Sequence, residues 1–186
     1  MRSLAQCVSE ARNDITVATN LMETRLIVGE AKLLEKLRYK TSPKKIWPSA
    51  LFYSGKLEEQ SERHKKHGNT EYNLEPNVKE GKGGLRDLQS LFWIAKYVHG
   101  VQDVADLVAV GVFTDDDFKN FEDAETFLWA VRGHLHLIAR RPMEQLTFDL
   151  QVEVAAKMGY KDARGRRDVE IFMQDFFRHA TAVGDL

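Results

Sequence analysis

A glycine-rich, charged stretch at residues 71–84 offers the clearest chemistry in this sequence. Gly81, Gly83 and Gly84 stand directly before an apolar run with helical spacing. Glycine allows backbone angles that are closed to other residues and lets the chain approach a ligand closely. A helix beginning near Leu85 presents free N–H groups and a positive dipole end, and both favour an anion.

Charged side chains surround these glycines: Glu75, Lys79, Glu80, Lys82, Arg86 and Asp87. Because arginine can hold phosphate oxygens through two parallel hydrogen bonds, the residues allow a phosphate site. They allow a well-capped surface loop with solvated charges equally well, and Asp87 could serve the helix dipole or hold Arg86 in place. The stretch matches neither the P-loop pattern nor the dinucleotide fingerprint, which both need a preceding strand.

Other polar residues make weaker candidates. The basic run Arg63–His67 fits a solvated helix end better than a ligand site. Arg132 and Arg140 are eight residues apart on one predicted helix. They could line a cleft opposite the glycine-rich stretch, although ion pairs with neighbouring acids are the simpler expectation. His134 and His136 are two apart and point in different directions, so we expect no metal site there.

The aromatic residues and the remaining arginines are expected to serve structure. Trp93 and Trp129 recur with phenylalanines at helical spacing, which predicts core positions rather than base-stacking platforms. Arg164, Arg166 and Arg167 lie in a polar stretch that predicts a flexible connector.

Helical periodicity runs through almost the whole chain, and strict alternation of strand type is almost absent. We therefore predict an all-α fold, a helical bundle of about seven or eight helices with one long ordered glycine-rich loop. Thr114 is expected to cap the longest helix, with Asp117 three residues later as a variant capping box. The first predicted helix is long, begins near Leu4 and is interrupted or capped at Gly29, and a shorter helix carries Leu33, Leu34 and Leu37. The other predicted helices cover about residues 49–67, 85–99, 104–110, 115–141, 150–158 and 169–183.

Composition limits the class of protein. The 186 residues, 43% hydrophobic and 30% charged, suit one domain of ordinary size or two small ones. The net charge of -1 argues against a nucleic-acid partner. The single cysteine, Cys7, excludes an internal disulfide and fits a cytoplasmic protein. No apolar run reaches the roughly 20 residues that span a bilayer, so no membrane partner is expected.

The glycine-rich stretch also resembles a known family. "YNLEPNVKEGKGGLRDLQSLFWIAKY" is similar to the hallmark of the bacterial protein-PII uridylyltransferase/uridylyl-removing enzymes. Lys82 departs from that family, which often has proline there. The resemblance runs the whole length, through "ARNDITVATNLMETRLIVG", "KLEEQSERHKKHG", "FLWAVRGHLHLIARR", "LTFDLQVEVAAKMGY" and "VEIFMQDFFRHA".

The resemblance implies a helical domain that packs beside a nucleotidyltransferase core and closes its nucleotide cleft. The parent enzyme would transfer UMP from UTP to the PII signalling protein, with Mg²⁺ held in the nucleotidyltransferase domain. Since positioning and charge neutralisation dominate such transfers, a domain without catalytic carboxylates can still contribute.

The same resemblance assigns expected roles to residues of the glycine-rich stretch. Lys79 and Arg86 would meet the triphosphate or the pyrophosphate leaving group. Gly83 and Gly84 would provide close backbone approach, and Asn77 and Asp87 would order the loop. The expected phosphate-binding residues are Lys79, Gly83, Gly84, Arg86, Asp87 and Asn77, and a second candidate group is Lys82, Arg63, Arg132 and Arg140.

Motifs for the family's chemistry are absent from these residues. There is neither a Gly-Gly-Ser motif with paired aspartates nor the hydrolytic His-Asp motif, and "TDDDF" at 114–118 is an acidic helix start. We therefore expect a middle domain that has no catalytic residue and is inactive alone. Residues 1–40 would follow the nucleotidyltransferase core, and residues 41–186 would form the helical PII-uridylyltransferase domain, compact with 1–40. Expected partners are PII and the neighbouring nucleotidyltransferase and hydrolase domains.

Three other functions stay open. Glutamine-synthetase adenylyltransferases have a similar loop, although "LRDLQ" favours the uridylyltransferases, and a comparison of ATP with UTP would separate the two. A non-catalytic docking module could bind PII or neighbouring domains through its helical faces. A helical nucleic-acid module is opposed by the near-neutral charge.

Overall fold

The structure is a computed structural model that describes residues 2–43 and 45–186. Within these residues it contains nine α-helices and no β-strand, which confirms the predicted all-α class. None of the described helices combines the length and the apolar composition that a membrane crossing needs. The helices are α1 (Leu4–Asn13), α2 (Ile15–Met22), α3 (Ala31–Lys40), α4 (Ser49–Lys66), α5 (Leu85–His99), α6 (Asp106–Ala109), α7 (Asp115–Ala139), α8 (Phe148–Lys157) and α9 (Asp168–Asp185).

Asp14 breaks the single long helix that was predicted to begin near Leu4, so that prediction was wrong. Its backbone is extended, with φ of -139° and ψ of 116°. Its carboxylate accepts hydrogen bonds from the N–H groups of Thr16 at 2.7 Å and Val17 at 3.4 Å. Because these are orphan donors of a first helical turn, Asp14 starts a new helix where apolar spacing alone suggests continuity.

The capping box predicted at Thr114 is present. The Thr114 hydroxyl accepts from the Asp117 N–H at 3.1 Å, and the Asp117 carboxylate accepts from the Thr114 N–H at 2.9 Å. α7 then runs for 25 residues, slightly fewer than predicted. It ends where Arg140 adopts a left-handed conformation with φ of 52°.

The chain divides into two compact units. The first consists of residues 1–59 and 93–101, and the second of residues 60–92 and 102–186. The boundary expected at residue 40 concerns the arrangement of a longer enzyme and stays a prediction.

Aromatic side chains close the core of the first unit. Phe52 and Tyr97 are buried and stack with ring centroids 3.7 Å apart. The Trp47 indole N–H donates to the carbonyl oxygen of Ala11 at 2.7 Å, and the Tyr97 hydroxyl donates to the carbonyl oxygen of Trp47 at 2.9 Å. These bonds attach α1 and the end of α5 to the residues that precede α4.

The core of the second unit lies among α7, α8 and α9, which pack on one another. Residues 71–84, the glycine loop, belong to this unit and lead directly into α5. The buried side chains of the three helices include Leu128, Val131, Leu135, Val154, Ala155, Phe172 and Phe176.

Trp129 is not a core residue, contrary to the prediction. Its side chain is 44% exposed, while its neighbour Leu128 and the next buried position, Val131, face the core. The guanidinium carbon of Arg132 lies 5.1 Å from the centre of the Trp129 ring. The aromatic ring therefore serves as a partner for a cation at the surface.

Candidate functional site

The middle of the glycine loop forms backbone hydrogen bonds with residues 144–146. The Val78 N–H donates to the carbonyl oxygen of Glu144 at 2.8 Å, and the Leu146 N–H donates to the carbonyl oxygen of Pro76 at 2.9 Å. The two segments thus pair locally as in an antiparallel bridge. These bonds give the loop a fixed backbone.

The beginning of the loop is attached to α8. The Glu75 carboxylate accepts from the N–H of Phe148, at the start of α8, at 2.8 Å. The Gln151 side-chain amide donates to the carbonyl oxygen of Leu74 at 2.7 Å. Both contacts satisfy polar groups that would otherwise be orphaned.

Asn77 shapes the turn that follows. Its side-chain oxygen accepts from the N–H groups of Lys79 at 3.2 Å and Glu80 at 2.7 Å, as in an Asx turn. Its carbonyl oxygen accepts from the Gly81 N–H at 3.0 Å. The short polar side chain therefore stabilises the loop before the glycines.

The first N–H groups of α5 already have partners within the protein. The N–H groups of Leu85 and Arg86 donate to the carbonyl oxygens of Val78 at 3.1 Å and Lys79 at 2.9 Å. The Asp87 N–H donates to Gly84 at 2.9 Å. The expectation of free N–H groups at this helix start was wrong, because the loop folds back and supplies carbonyl oxygens to them.

Gly83 and Gly84 lie close to protein backbone. Gly83 has φ of 75°, and a Cβ atom there would overlap the backbone of Ala180 in α9. A Cβ atom on Gly84 would lie 2.8 Å from the carbonyl oxygen of Val78. Packing within the second unit thus gives a reason for both glycines, and their approach to phosphate stays a prediction.

Asp87 is the buried centre of a polar cluster, with only 6% of its surface exposed. Its carboxylate accepts from the Gly83 N–H at 2.8 Å, from the Gln60 amide at 3.0 Å and from the Arg63 guanidinium. The His64 Nε2 lies 2.9 Å from the same carboxylate. Asp87 therefore joins α4, the glycine loop and α5, and it forms an ion pair with Arg63.

Arg63 and His64 correct the prediction of a solvated basic helix end. Both side chains are largely buried against Asp87. Lys65 and Lys66, which follow on α4, are exposed as predicted. Arg63 and His64 therefore lie on the buried side of α4, and Lys65 and Lys66 lie on its exposed side, because successive helical residues are about 100° apart.

Glu80 links the cationic side chains of the loop. Its carboxylate lies 3.5 Å from the Lys79 Nζ, 3.3 Å from an Arg86 nitrogen and 3.9 Å from the Arg63 Nε. Arg86 also donates to the Gln89 side chain at 2.9 Å. Lys79 and Arg86 are partly exposed, so two cations reach the surface with one carboxylate between them.

Arg132 forms an ion pair with an acidic residue, which was the simpler of the two predictions for it. Its guanidinium donates to both carboxylate oxygens of Glu144, at 2.7 and 2.9 Å. Burial would raise the pKa of Glu144, but the hydrogen bond from Arg132 and the positive charges of Arg132, His136 and Lys79 together lower it. Glu144 therefore carries its negative charge next to the glycine loop.

Among the described residues, neither Lys82 nor Arg140 forms an ion pair with the Glu80 carboxylate that Lys79 and Arg86 share. The Lys82 Nζ is 3.1 Å from the Glu71 carboxylate. Arg140 is exposed at the end of α7. The expected residues thus include one pair of neighbouring surface cations, Lys79 and Arg86, with Arg63 attached to the same carboxylate.

Sequence reasoning gave no role to several residues that build this site. The partners of Asp87 on α4 lie 23 to 27 positions away, and Gln151 lies 77 positions from Leu74. Sequence patterns cover only a few neighbouring residues, so contacts at such separations become visible only in the folded structure. The missed residues are Gln60, His64, Glu144 and Gln151.

The described residues offer no donor set for a metal ion. No group of three or more His, Cys, Asp or Glu side chains among them is arranged for coordination. The acidic residues at the start of α7 belong to its capped first turn.

Residues 51–186 match the family model of the GlnD PII-uridylyltransferases. The chain belongs to this family. It is 54% identical, over its full length, to the bifunctional uridylyltransferase/uridylyl-removing enzymes of Cereibacter sphaeroides and Ruegeria pomeroyi. The corresponding enzyme of Methylococcus capsulatus is 46% identical over 98% of the chain. The resemblance seen in the sequence is confirmed, and the chain spans about a fifth of the length of these relatives.

Proposed function

We propose that this chain is the helical part of a uridylyltransferase that holds the triphosphate of UTP while UMP is transferred to PII. Family membership supports the reaction class. The observation that carries the assignment of a site is the pair Lys79 and Arg86, two partly exposed cations that share the Glu80 carboxylate on a loop of fixed backbone.

Glu80 would act as a stand-in for phosphate before the nucleotide binds. A triphosphate carries more negative charge than one carboxylate, and arginine can hold two of its oxygens at once. UTP would therefore compete with Glu80 for Lys79 and Arg86. Because the loop is already ordered, binding would cost little backbone entropy.

Metal chemistry would come from outside the described residues, which offer no ligand cluster. Mg²⁺ held by a nucleotidyltransferase domain would neutralise the charge of the triphosphate. The contribution of this chain is then positioning, and it would be inactive alone. The cytoplasm is the compartment that this proposal requires.

A chimeric enzyme tests the proposal. The chain would replace the aligned region of the Cereibacter sphaeroides enzyme, which it matches along its whole length. Lys79→Ala and Arg86→Ala should each raise the KM for UTP about tenfold, the equivalent of one charge-assisted contact, in assays of PII uridylylation. Lys119→Ala, at an exposed position of α7, is the matched control and should leave the KM unchanged.

Unchanged KM values in both loop variants would contradict the proposal. The loop would then be a structural element of a docking module that does not touch nucleotide. A chimera that used ATP as well as UTP would contradict the assignment of nucleotide specificity instead.

A further inference from the structure

An open cavity of about 360 Å³ lies in the second unit, between the start of α8 and the first three turns of α9. Its walls are mostly apolar, and the glycine loop contributes Leu74 where the loop begins. Cavities of this size and character are typical of binding sites for one bulky apolar group. The other apolar lining residues are Phe148, Val152, Val169, Met173 and Phe177.

Apolar surface continues outside the cavity. Leu74, Phe148 and Val152 line it and are nevertheless 67%, 57% and 51% exposed. Contiguous apolar side chains at such exposures are typical of surfaces that another molecule covers. A small molecule that filled only the cavity would leave much of this rim in water, whereas a peptide segment laid across it would cover both.

Gln151 adds an unused hydrogen-bond acceptor to the cavity wall. The side chain is only 5% exposed, and its amide nitrogen donates to the carbonyl oxygens of Leu74 at 2.7 Å and Leu146 at 3.1 Å. Since both partners are carbonyls, the amide orientation is determined. Its oxygen accepts no hydrogen bond from any described residue. A ligand that donates an N–H to this oxygen would therefore add one hydrogen bond to the apolar contacts of the cavity.

A turn that carries arginines leads into the cavity wall at Arg167. Backbone hydrogen bonds of 3.1 and 3.0 Å join Ala163 and Arg166 in a turn, and the flexibility predicted for this connector stays a prediction. Arg164 is exposed and makes no ion pair with any described residue. Arg167 and Glu170 both line the cavity with their charged groups 3.5 Å apart, so Glu170 offsets part of the charge of Arg167.

We propose that this cavity docks a segment of a partner protein in which a bulky apolar residue is flanked by acidic residues. The apolar side chain fills the cavity, a backbone N–H of the segment donates to Gln151, and the acidic neighbours lie against the arginine turn. The proposal does not depend on the nucleotide function of the glycine loop.

Selection from a random 12-residue peptide library displayed on phage tests this proposal with the 186-residue chain as bait. Enriched peptides should carry one leucine-, phenylalanine- or tyrosine-type residue with aspartate or glutamate nearby. In calorimetry with the synthetic consensus peptide, replacement of that residue by alanine should weaken binding at least about tenfold. Binding should also weaken as salt is raised.

Two variants of the chain locate the site. Val152→Arg, which places a charge on the exposed rim, should abolish binding, whereas Leu137→Arg at an exposed position of α7 should not. Arg164→Asp should weaken binding about three- to tenfold, and Arg141→Asp, also exposed, should not. Aspartate suits the left-handed backbone at position 164, where φ is 52°.

Three results would overturn the proposal. The first is a selection without an enriched sequence. The second is a consensus peptide that still binds the Val152→Arg variant. The third is a peptide that binds as well when lysine replaces its acidic residues.

Discussion

At the scale of single residues, Asp87 shows how one carboxylate can hold a loop. It accepts hydrogen bonds from a glycine N–H, an amide and a guanidinium, and it lies next to a histidine. Each partner satisfies a lone pair that burial has removed from water. The order of the glycine loop therefore depends on the charge of this side chain.

Asp87→Asn should lower the free energy of unfolding by about 3 kcal/mol, because the change removes the hydrogen-bonded ion partner of the largely buried Arg63 and leaves it only the more distant Glu80. Urea titration followed by circular dichroism measures the effect. Glu153→Gln, at an exposed position of α8, is the control and should change stability by less than about 0.5 kcal/mol. Equal stability of the two variants would show that the cluster does not hold the loop.

Local chemistry made part of the site predictable from sequence. Asn77 and Asp87 accept N–H groups only two to four positions away, and short polar side chains before or within a turn are a recognisable signal. His64 and Gln60 gave no such signal, because their contact with Asp87 exists only once α4 packs beside the loop.

At the scale of elements, Gly83 allows the glycine loop to pack directly against α9. The backbone of the loop approaches the backbone of α9 so closely that no side chain fits between them at this position. The same residue has a positive φ of 75°, which glycine adopts without strain.

Gly83→Ala should destabilise the protein by about 3 kcal/mol, since it adds both backbone strain and overlap with Ala180. Gly133→Ala is the matched control, because Gly133 lies within α7 and has open space around it. That change should stabilise the protein by roughly 0.5–1 kcal/mol through helix propensity. Urea titrations of the two variants give the comparison, and a Gly83 variant as stable as the parent would contradict the packing described for the loop.

Periodicity predicted the helices well because most of them bury one face. α5 begins and ends at the predicted residues. The errors have local causes: Asp14 caps a new helix within an unbroken apolar pattern, and carbonyl oxygens of the glycine loop return to the start of α5. The spacing of apolar residues does not reveal the hydrogen bonds that the backbone of a loop makes with the start of the following helix.

At the scale of the whole molecule, the first unit is assembled from distant parts of the chain. Within residues 2–40, the carbonyl oxygen of Ala11 accepts a hydrogen bond from Trp47, and Ile15 packs against Gly55 of α4. Glu23 forms an ion pair with Lys96 of α5 at 3.0 Å. The core around Phe52 and Tyr97 therefore needs the N-terminal helices.

Deletion of residues 1–40 should expose this core while the second unit keeps its own. In hydrogen-exchange mass spectrometry, amides of residues 49–59 and 93–101 should exchange at least about tenfold faster than in the full chain. Amides of α7, α8 and α9 serve as the internal control and should keep their protection. Unaltered exchange at residues 49–59 would mean that the first unit does not depend on its N-terminal helices.

The many attachments of residues 71–84 also determine where this sequence can change in length. Its start is fixed to α8, its middle to residues 144–146 and its last glycines to α9 and Asp87. An extra residue anywhere in this stretch would displace every attachment that follows it. The surface turn at residues 23–30, where Ile27 and Val28 are almost fully exposed, offers room for insertions at far smaller cost.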